Sequence, residues 1–267
     1  MKVYDCLMFM NEAELLEIRL NELQDVVDKF IIVQAEETHT GNKKPVVTFF
    51  GDKICNYFLP KLEGKDAWEK EWYQRNKLLE GAKAFGAEPD DVIMISDVDE
   101  IPRAATLLYY LGTHDLFSDP FMLEQELYYY NVNTYMGKWC GTTIATVETI
   151  EKFGGPQACR DRNGHGNSKI ADGGWHFSYF GGVERMRLKV RSFSHAHDDW
   201  TERFLAKDDR QITEDILARR DLIGRDMNIE HRPTNDKRLP KYFLDNISKF
   251  RILTEEHYAL SVANGNR

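Results

Sequence analysis

Asp97, Asp99 and Glu100 stand within four residues of one another, directly after the apolar run Val92, Ile93, Met94 and Ile95. Such a run, bounded by breakers, reads as a fully buried strand, and open α/β sheets bind ligands beyond the carboxyl ends of their strands. Carboxylates packed this closely repel unless a cation or hydrogen-bond donors offset their charge. An Asp-x-Asp pair can offer hard oxygen ligands to one divalent ion, and that ion can hold a diphosphate. We assign Asp99 as the direct metal ligand and Asp97 to the sugar or water side of the same site. The chemistry this suggests is transfer of a group away from a nucleoside diphosphate. Plain turn formation after a strand is the alternative for an Asp-x-Asp taken alone.

Other side chains could complete such a site. His176 and His195 are candidates for the third metal ligand, since an imidazole can fill a shell begun by carboxylates. His195-Ala196-His197 beside Asp198-Asp199 could form a metal site of its own, but no HExxH or Cys/His cluster supports a zinc hydrolase. Glu36 and Glu37 end a second apolar strand, where either can reach a ribose or uracil group. Arg75 is the best-placed cation, whereas Arg160, Arg162 and Lys169 read as solvated charges. A hydroxyl nucleophile needs a base; Asp172, ahead of Gly173-Gly174-Trp175, is the first candidate, with Glu124 and Glu126 as rivals. Trp175, Tyr179 and the run Tyr128 to Tyr130 can offer ring faces to a sugar, or pack in the core.

The elements that must carry these groups follow from periodicity. Tyr4 to Met10 and Phe30 to Val33 read as strands, with Leu16, Leu20 and Leu23 on one face of the helix between them. Asn11 with Glu14 fits a capping box for that helix. A right-handed β-α-β unit is the economical topology. Short strands are expected at Val46–Phe50 and Ile54–Phe58, and a helix at Ala67–Phe85 stopped by Gly86. A helix opened by Pro102 follows the acidic strand. Phe121–Val132, Gly141–Val147 and Trp175–Phe180 read as strands, and Val183 to about Leu222 as mostly helical. The fold expected is a three-layer α/β/α domain with a mixed, mainly parallel central sheet. It divides into a nucleotide-binding half (1–111), an acceptor-side half with C-terminal helices (112–253) and a tail (254–267). Neither GxGxxG nor GxxxxGK[ST] occurs, so phosphate must be handled by metal and side chains.

Composition excludes several classes. The 267 residues are 42% hydrophobic and 30% charged, an ordinary globular balance. Thirty-five basic against 44 acidic residues give a net charge of −9 with no basic block, so nucleic acid is not an expected partner. No window is long and apolar enough to span a bilayer. Cys6, Cys55, Cys140 and Cys159 are widely spaced, fit buried thiols in a reducing compartment, and suggest a cytoplasmic location.

Four segments in order, FMNEAELLEIRLNEL (9–23), VQAEETHTGNKKP (33–45), ISDVDEIPR (95–103) and GGWHFSYFGG (173–182), resemble glycosyltransferase family 17. The likeness runs from Asp5 to roughly Phe250. It implies a GT-A type fold, a UDP-sugar donor (N-acetylglucosamine the expected sugar) and a divalent cation, Mn²⁺ before Mg²⁺, at Asp97-x-Asp99. It also implies inversion at the anomeric carbon by an acceptor hydroxyl. Asn11, Glu36, Asp97, Asp99, Trp175 and His176 match family motifs. No anchor or stem is evident, so a bacterial or viral enzyme acting on a surface glycan or small glycoside is expected. Two other classes compete: a nucleotidyltransferase or sugar-nucleotide pyrophosphorylase, and a non-catalytic carbohydrate-binding protein. The first wants a glycine-rich basic loop where Asn11-Glu12-Ala13-Glu14 stands.

Overall fold

The computed structural model describes residues 1–113, 119–161, 168–196 and 198–265. Arg162 and His197 lie outside the described residues. The chain opens with β1 (Val3–Met8), α1 (Ala13–Leu23) and β2 (Lys29–Ala35), followed by β3 (Ile54–Leu59), α2 (Ala67–Ala84) and β4 (Val92–Asp97). After the turn Val98-Asp99 come β5 (Glu100–Pro102) and α3 (Ala104–Thr113). The second half holds β6 (Phe121–Tyr129), β7 (Thr134–Thr146), α4 (Val147–Lys152), α5 (Pro156–Asp161) and β8 (Ser168–Ser178). Then come α6 (Gly182–Ser192), α7 (Asp199–Leu205), α8 (Asp209–Leu217), β9 (Glu230–His231) and α9 (Lys241–Asp245). A 3₁₀ turn (Arg251–Leu253) and α10 (Glu255–Gly265) end the described chain.

The strands form one mixed sheet in the order β3-β2-β1-β4-β7-β6-β8-β5, with β9 on β7. The first four in that order are parallel, β7 runs antiparallel to β4 and β6, and β8 lies parallel to β6. Alternation of side chains across the parallel strands builds the three layers. Tyr4, Cys6, Ile31, Val33, Ile93 and Ile95 pack with Leu78 and Ala82 of α2, Ile150 of α4 and Cys159 of α5. On the other face Val3, Phe30, Val92 and Met94 meet Leu23 of α1 and Leu107 of α3. Two further clusters fill the second half, one around Tyr128, Trp175 and Phe177 and one around Tyr130, Tyr179 and Trp200.

Four local expectations differ from the structure. Pro102 does not open the helix: it ends β5, paired with Gly174, and α3 starts at Ala104. Residues 46–50 form no strand; the carboxamides of Gln34 and Asn56 bond the Val47 and Phe49 backbones at both N–H and C=O instead. Those amides take the place of a neighbouring ladder. The Asn11–Glu14 capping box does not form: the N-cap of α1 is Glu12, without a side-chain cap bond, and Glu14 pairs with Arg185 of α6. The expected tail from 254 carries α10, whose Tyr258 is buried and donates to the Tyr130 carbonyl.

Gly174 makes the pairing of β5 with β8 specific. Its φ is +127°, and a Cβ there would collide with the Ile101 carbonyl and sit 2.7 Å from Arg103 N. Backbone cannot give way as a side-chain tip can. Gly174→Ala is therefore expected to cost about 2–3 kcal/mol, the range of overpacking, read as a lower urea midpoint at unchanged m-value.

Candidate active site

The carboxyl ends of β2, β1 and β4 lie side by side, with Met8 in register with both Val33 and Asp97. Beyond them opens a cleft of about 420 Å³. Its walls come from Asp97 at the end of β4 and from residues that follow the strands (Phe9, Glu37, Asp99), from Trp68, Glu71, Gln74 and Arg75 on α2, and from Gln157, Arg160 and Asp161 on α5. His176 of β8, Trp139 of β7 and Lys189 of α6 close the remaining side. On α2 the spacing 68, 71, 75 is one helical face.

The acidic motif is threaded by cations from remote elements. Asp97 accepts from Arg75 Nη2 on Oδ1 and from Arg160 Nη2 on Oδ2, each at 3.2 Å. Arg75 is also held by Glu71 Oε1 (2.7 Å) and Gln157 Oε1 (2.6 Å). Arg160 donates to Glu100 Oε2 at 2.7 Å, and Glu100 Oε1 takes Trp139 Nε1 at 3.3 Å. Asp99, almost wholly buried, accepts from Lys189 Nζ on Oδ2 at 2.6 Å. Its Oδ1 faces His176 Nε2 at 3.7 Å, beyond hydrogen-bond length.

These contacts set the charges. Burial pushes Asp97 up, but the Arg160 and Arg75 guanidinium groups outweigh it and hold the carboxyl below its usual range. Burial likewise opposes Asp99, and Lys189 and then His176 hold that carboxyl far below the carboxylate range. Burial would discharge Lys189, but Asp99 and then Glu12 raise its pKa and keep it an ammonium.

Several expected residues share this cleft: Glu37, Arg75, Asp97, Asp99, His176, His195 and Tyr179 all line it. Others stand elsewhere. Trp175 and His176 are neighbours on a strand and so face opposite ways. The indole is buried among Ile101, Tyr128 and Phe180 and donates to the Arg238 carbonyl. It offers no face to a sugar. Tyr128, Tyr129 and Tyr130 are buried in the two aromatic clusters and form core, not platform. Asp172, held at φ 54°, lies exposed outside the cleft and pairs with Arg103 at 3.0 Å. Glu126 is buried on Arg232 Nη1 and the Tyr128 hydroxyl, and Glu124 lies on the same strand, outside the cleft lining. Glu36 is exposed beside the cleft, and Asn11 is half-buried with its N–H on Glu12. Arg160 reverses its expectation as a solvated charge: it is the bridge between Asp97 and Glu100.

The fit of a divalent cation divides the expected ligands. Both Asp97 oxygens are spent on arginines. His195 bonds Asp198 through Nδ1 and lies edge-on to Trp68. Among the described residues no group of three or more His, Cys, Asp or Glu side chains is arranged to hold a metal. Asp99 Oδ1 and His176 fit as a two-residue ligand set, the number that suffices when substrate phosphates and water fill the other positions.

Three further nitrogens in the cleft are unsatisfied. Lys44 Nζ, Arg75 Nε and His176 Nδ1 are buried without hydrogen-bond partners among the described residues, and burial lowers the pKa of Lys44 against the pull of Glu12. Lys44, Lys189 and Asp161 carried no signal in the sequence beyond their charge.

A profile of glycosyltransferase family 17 matches residues 1–257. The chain belongs to glycosyltransferase family 17. Its relatives include the beta-1,4-mannosyl-glycoprotein 4-beta-N-acetylglucosaminyltransferases of Rattus norvegicus and Mus musculus, each 25% identical over 96% of this chain and 55% of theirs. The Homo sapiens enzyme of that name is 24% identical over 93% of this chain and 54% of its own. The chain thus spans about half the length of these curated relatives. No helix among the described residues is long and apolar enough to cross a membrane. The mixed sheet and its flanking helices accord with the GT-A type architecture that the family resemblance implied.

Lys189 and Asp99 give a pH-dependent test. The folded carboxyl titrates below its unfolded value near 4, so the stability it contributes is complete above about pH 4 and lost as pH falls through the lower folded value. Lys189→Met leaves a buried carboxylate without its main cation, a change worth about 3 kcal/mol at pH 7. With burial then dominant, the Asp99 pKa rises. The stability gap between parent and variant, read by urea denaturation, should be widest near pH 7 and narrow toward pH 4.

Proposed function

We propose that this chain transfers a sugar, N-acetylglucosamine the first candidate, from a UDP-sugar to a hydroxyl of a glycan or small glycoside. The observation that carries the reading is the trio Lys44 Nζ, Arg75 Nε and His176 Nδ1, buried in the cleft that holds the acidic motif and without a partner among the described residues. Buried polar atoms are nearly always satisfied, so three orphans in one cleft point to a ligand rich in acceptor oxygens. A diphosphate is such a ligand. The names of the relatives supply the sugar, and the cytoplasmic setting rests on the cysteine pattern alone.

In this reading Lys44 and Arg75 bind phosphate oxygens. Arg75 and Arg160 hold Asp97 toward the sugar. Asp99 Oδ1 and His176 would hold a divalent cation, Mn²⁺ first and Mg²⁺ second, which neutralises diphosphate charge when bound. Lys189 keeps Asp99 ionised and buried in place. These fixed charges are preorganised for the charge that grows on the leaving diphosphate.

A thermal-shift panel of UDP-, GDP- and CMP-sugars, with and without Mn²⁺, tests the reading. UDP-N-acetylglucosamine with metal at a hundred times its Kd should add about 2.7 kcal/mol of stability. An equal response to every nucleotide, or none, would sink the assignment. Lys44→Met removes one charge-assisted contact of about 1.5–3 kcal/mol; calorimetry should show UDP binding weakened about tenfold or more.

A further inference from the structure

Given the sugar transfer proposed above, on which any assignment of a base depends, the acceptor hydroxyl must meet a suitable carboxylate. That group has to be ionised, exposed to the acceptor and not neutralised by a neighbouring cation. Six described carboxylates that line the cleft are Glu12, Glu37, Glu71, Asp97, Asp99 and Asp161. Asp97 spends both oxygens on arginines, and Asp99 is buried on Lys189. Glu71 is bonded by Arg75. Glu37 accepts from Leu62 N and faces Lys70 at 3.8 Å. Glu12 is buried, accepts from Asn11 N, and lies in the field of Lys44 and Lys189. Each of these is committed to a positive partner or to the backbone.

Asp161 is different. It is exposed at the end of α5, forms no ion pair among the described residues, and its Oδ1 accepts 2.6 Å from a neutral amide, Gln157 Nε2. The other end of that amide accepts from Arg75 Nη1 at 2.6 Å, which fixes which end of the carboxamide meets Asp161. Arg75 also holds Asp97. The chain Asp97–Arg75–Gln157–Asp161 therefore sets a carboxylate with no ion pair among the described residues at a defined place relative to the donor-side acid.

Trp139 stands beside this end of the cleft. The residue is 44% exposed and lines the cleft, so part of its ring is open to a ligand there. Its Nε1 is tied to Glu100, the carboxylate that also holds Arg160, the residue before Asp161. One buried acid thus fixes both the indole and the end of α5.

We propose that Asp161 is the catalytic base and that Trp139 is the platform of the acceptor subsite, for a pyranoside with a free hydroxyl. The indole face covers the apolar face of the sugar ring. As the hydroxyl oxygen forms its bond to the anomeric carbon, its proton passes to an Asp161 carboxylate oxygen. The bond from the anomeric carbon to the β-phosphate oxygen breaks, and its electron pair leaves with UDP.

The test uses the intact chain with UDP-N-acetylglucosamine and a panel of p-nitrophenyl pyranosides, following both UDP release and glycoside product. Asp161→Asn should lower kcat about 100-fold or more, while calorimetric UDP affinity stays within about threefold, which also shows that the fold and the donor site are intact. Trp139→Ala should raise the acceptor KM by up to about tenfold, the worth of one aromatic contact, and leave the UDP-sugar KM unchanged. Transfer by Asp161→Asn within tenfold of the parent overturns the base. An unchanged acceptor KM in Trp139→Ala overturns the platform. A parent that binds UDP yet moves no sugar to any acceptor overturns the transferase reading itself, an outcome distinct from both.

Discussion

The acidic turn is held from beneath by one guanidinium. Arg19 of α1 is fully buried and bonds both oxygens of Asp5 on β1, at 2.6 and 2.5 Å. With Nη1 it donates to the carbonyls of Asp97 (3.0 Å) and Glu100 (2.6 Å). A chain that reverses in two residues leaves carbonyls that no strand can satisfy, and buried carbonyls must find donors. Arg19 supplies them, and Asp5 makes its charge tolerable in the interior. The direction in which Asp97 and Asp99 leave the sheet is thereby set by a residue some 80 positions earlier in the chain.

Above the turn, charge alternates. Glu71, Arg75, Asp97, Arg160 and Glu100 form one continuous row of opposite signs, with Asp99 and Lys189 as a separate pair. Each inner member satisfies two neighbours, so the row is rigid before any ligand arrives. That arrangement also leaves a small number of groups uncommitted, and these are the ones on which the functional reading rests. A site whose charges were all mutually satisfied would offer a diphosphate nothing.

The parallel half of the fold was readable because its strands are buried on both faces. Val92 to Ile95 has no polar residue to confuse the pattern, and all four are fully buried. The acidic motif was readable for a related reason: three carboxylates in four residues demand compensation. What compensates them was not. Arg160 and Lys189 come from α5 and α6, 60 and 90 residues along the chain from their acids, and neither carries a local pattern that separates it from a solvated cation. Strand phase was a second blind spot. Trp175 and His176 belong to one strand, and a shift by one residue exchanges core for cleft. With aromatic residues at 175, 177, 179 and 180 the sequence does not say which set faces inward. The tyrosine run failed in the same way, as rings that suit a sugar also suit a core.

The sheet order has a mechanical corollary. β4 and β5 are separated by two residues, whose span is at most about 11 Å, yet three strands stand between them in the ladder. Laid flat, that spacing would be about 19 Å. The strip β4-β7-β6-β8-β5 must therefore curl on itself like a partly closed cuff, and Val98-Asp99 is the clasp. The acidic turn therefore sits where the two rims of the cuff meet, and the short link Val98-Asp99 sets how far apart β4 and β5 can stand.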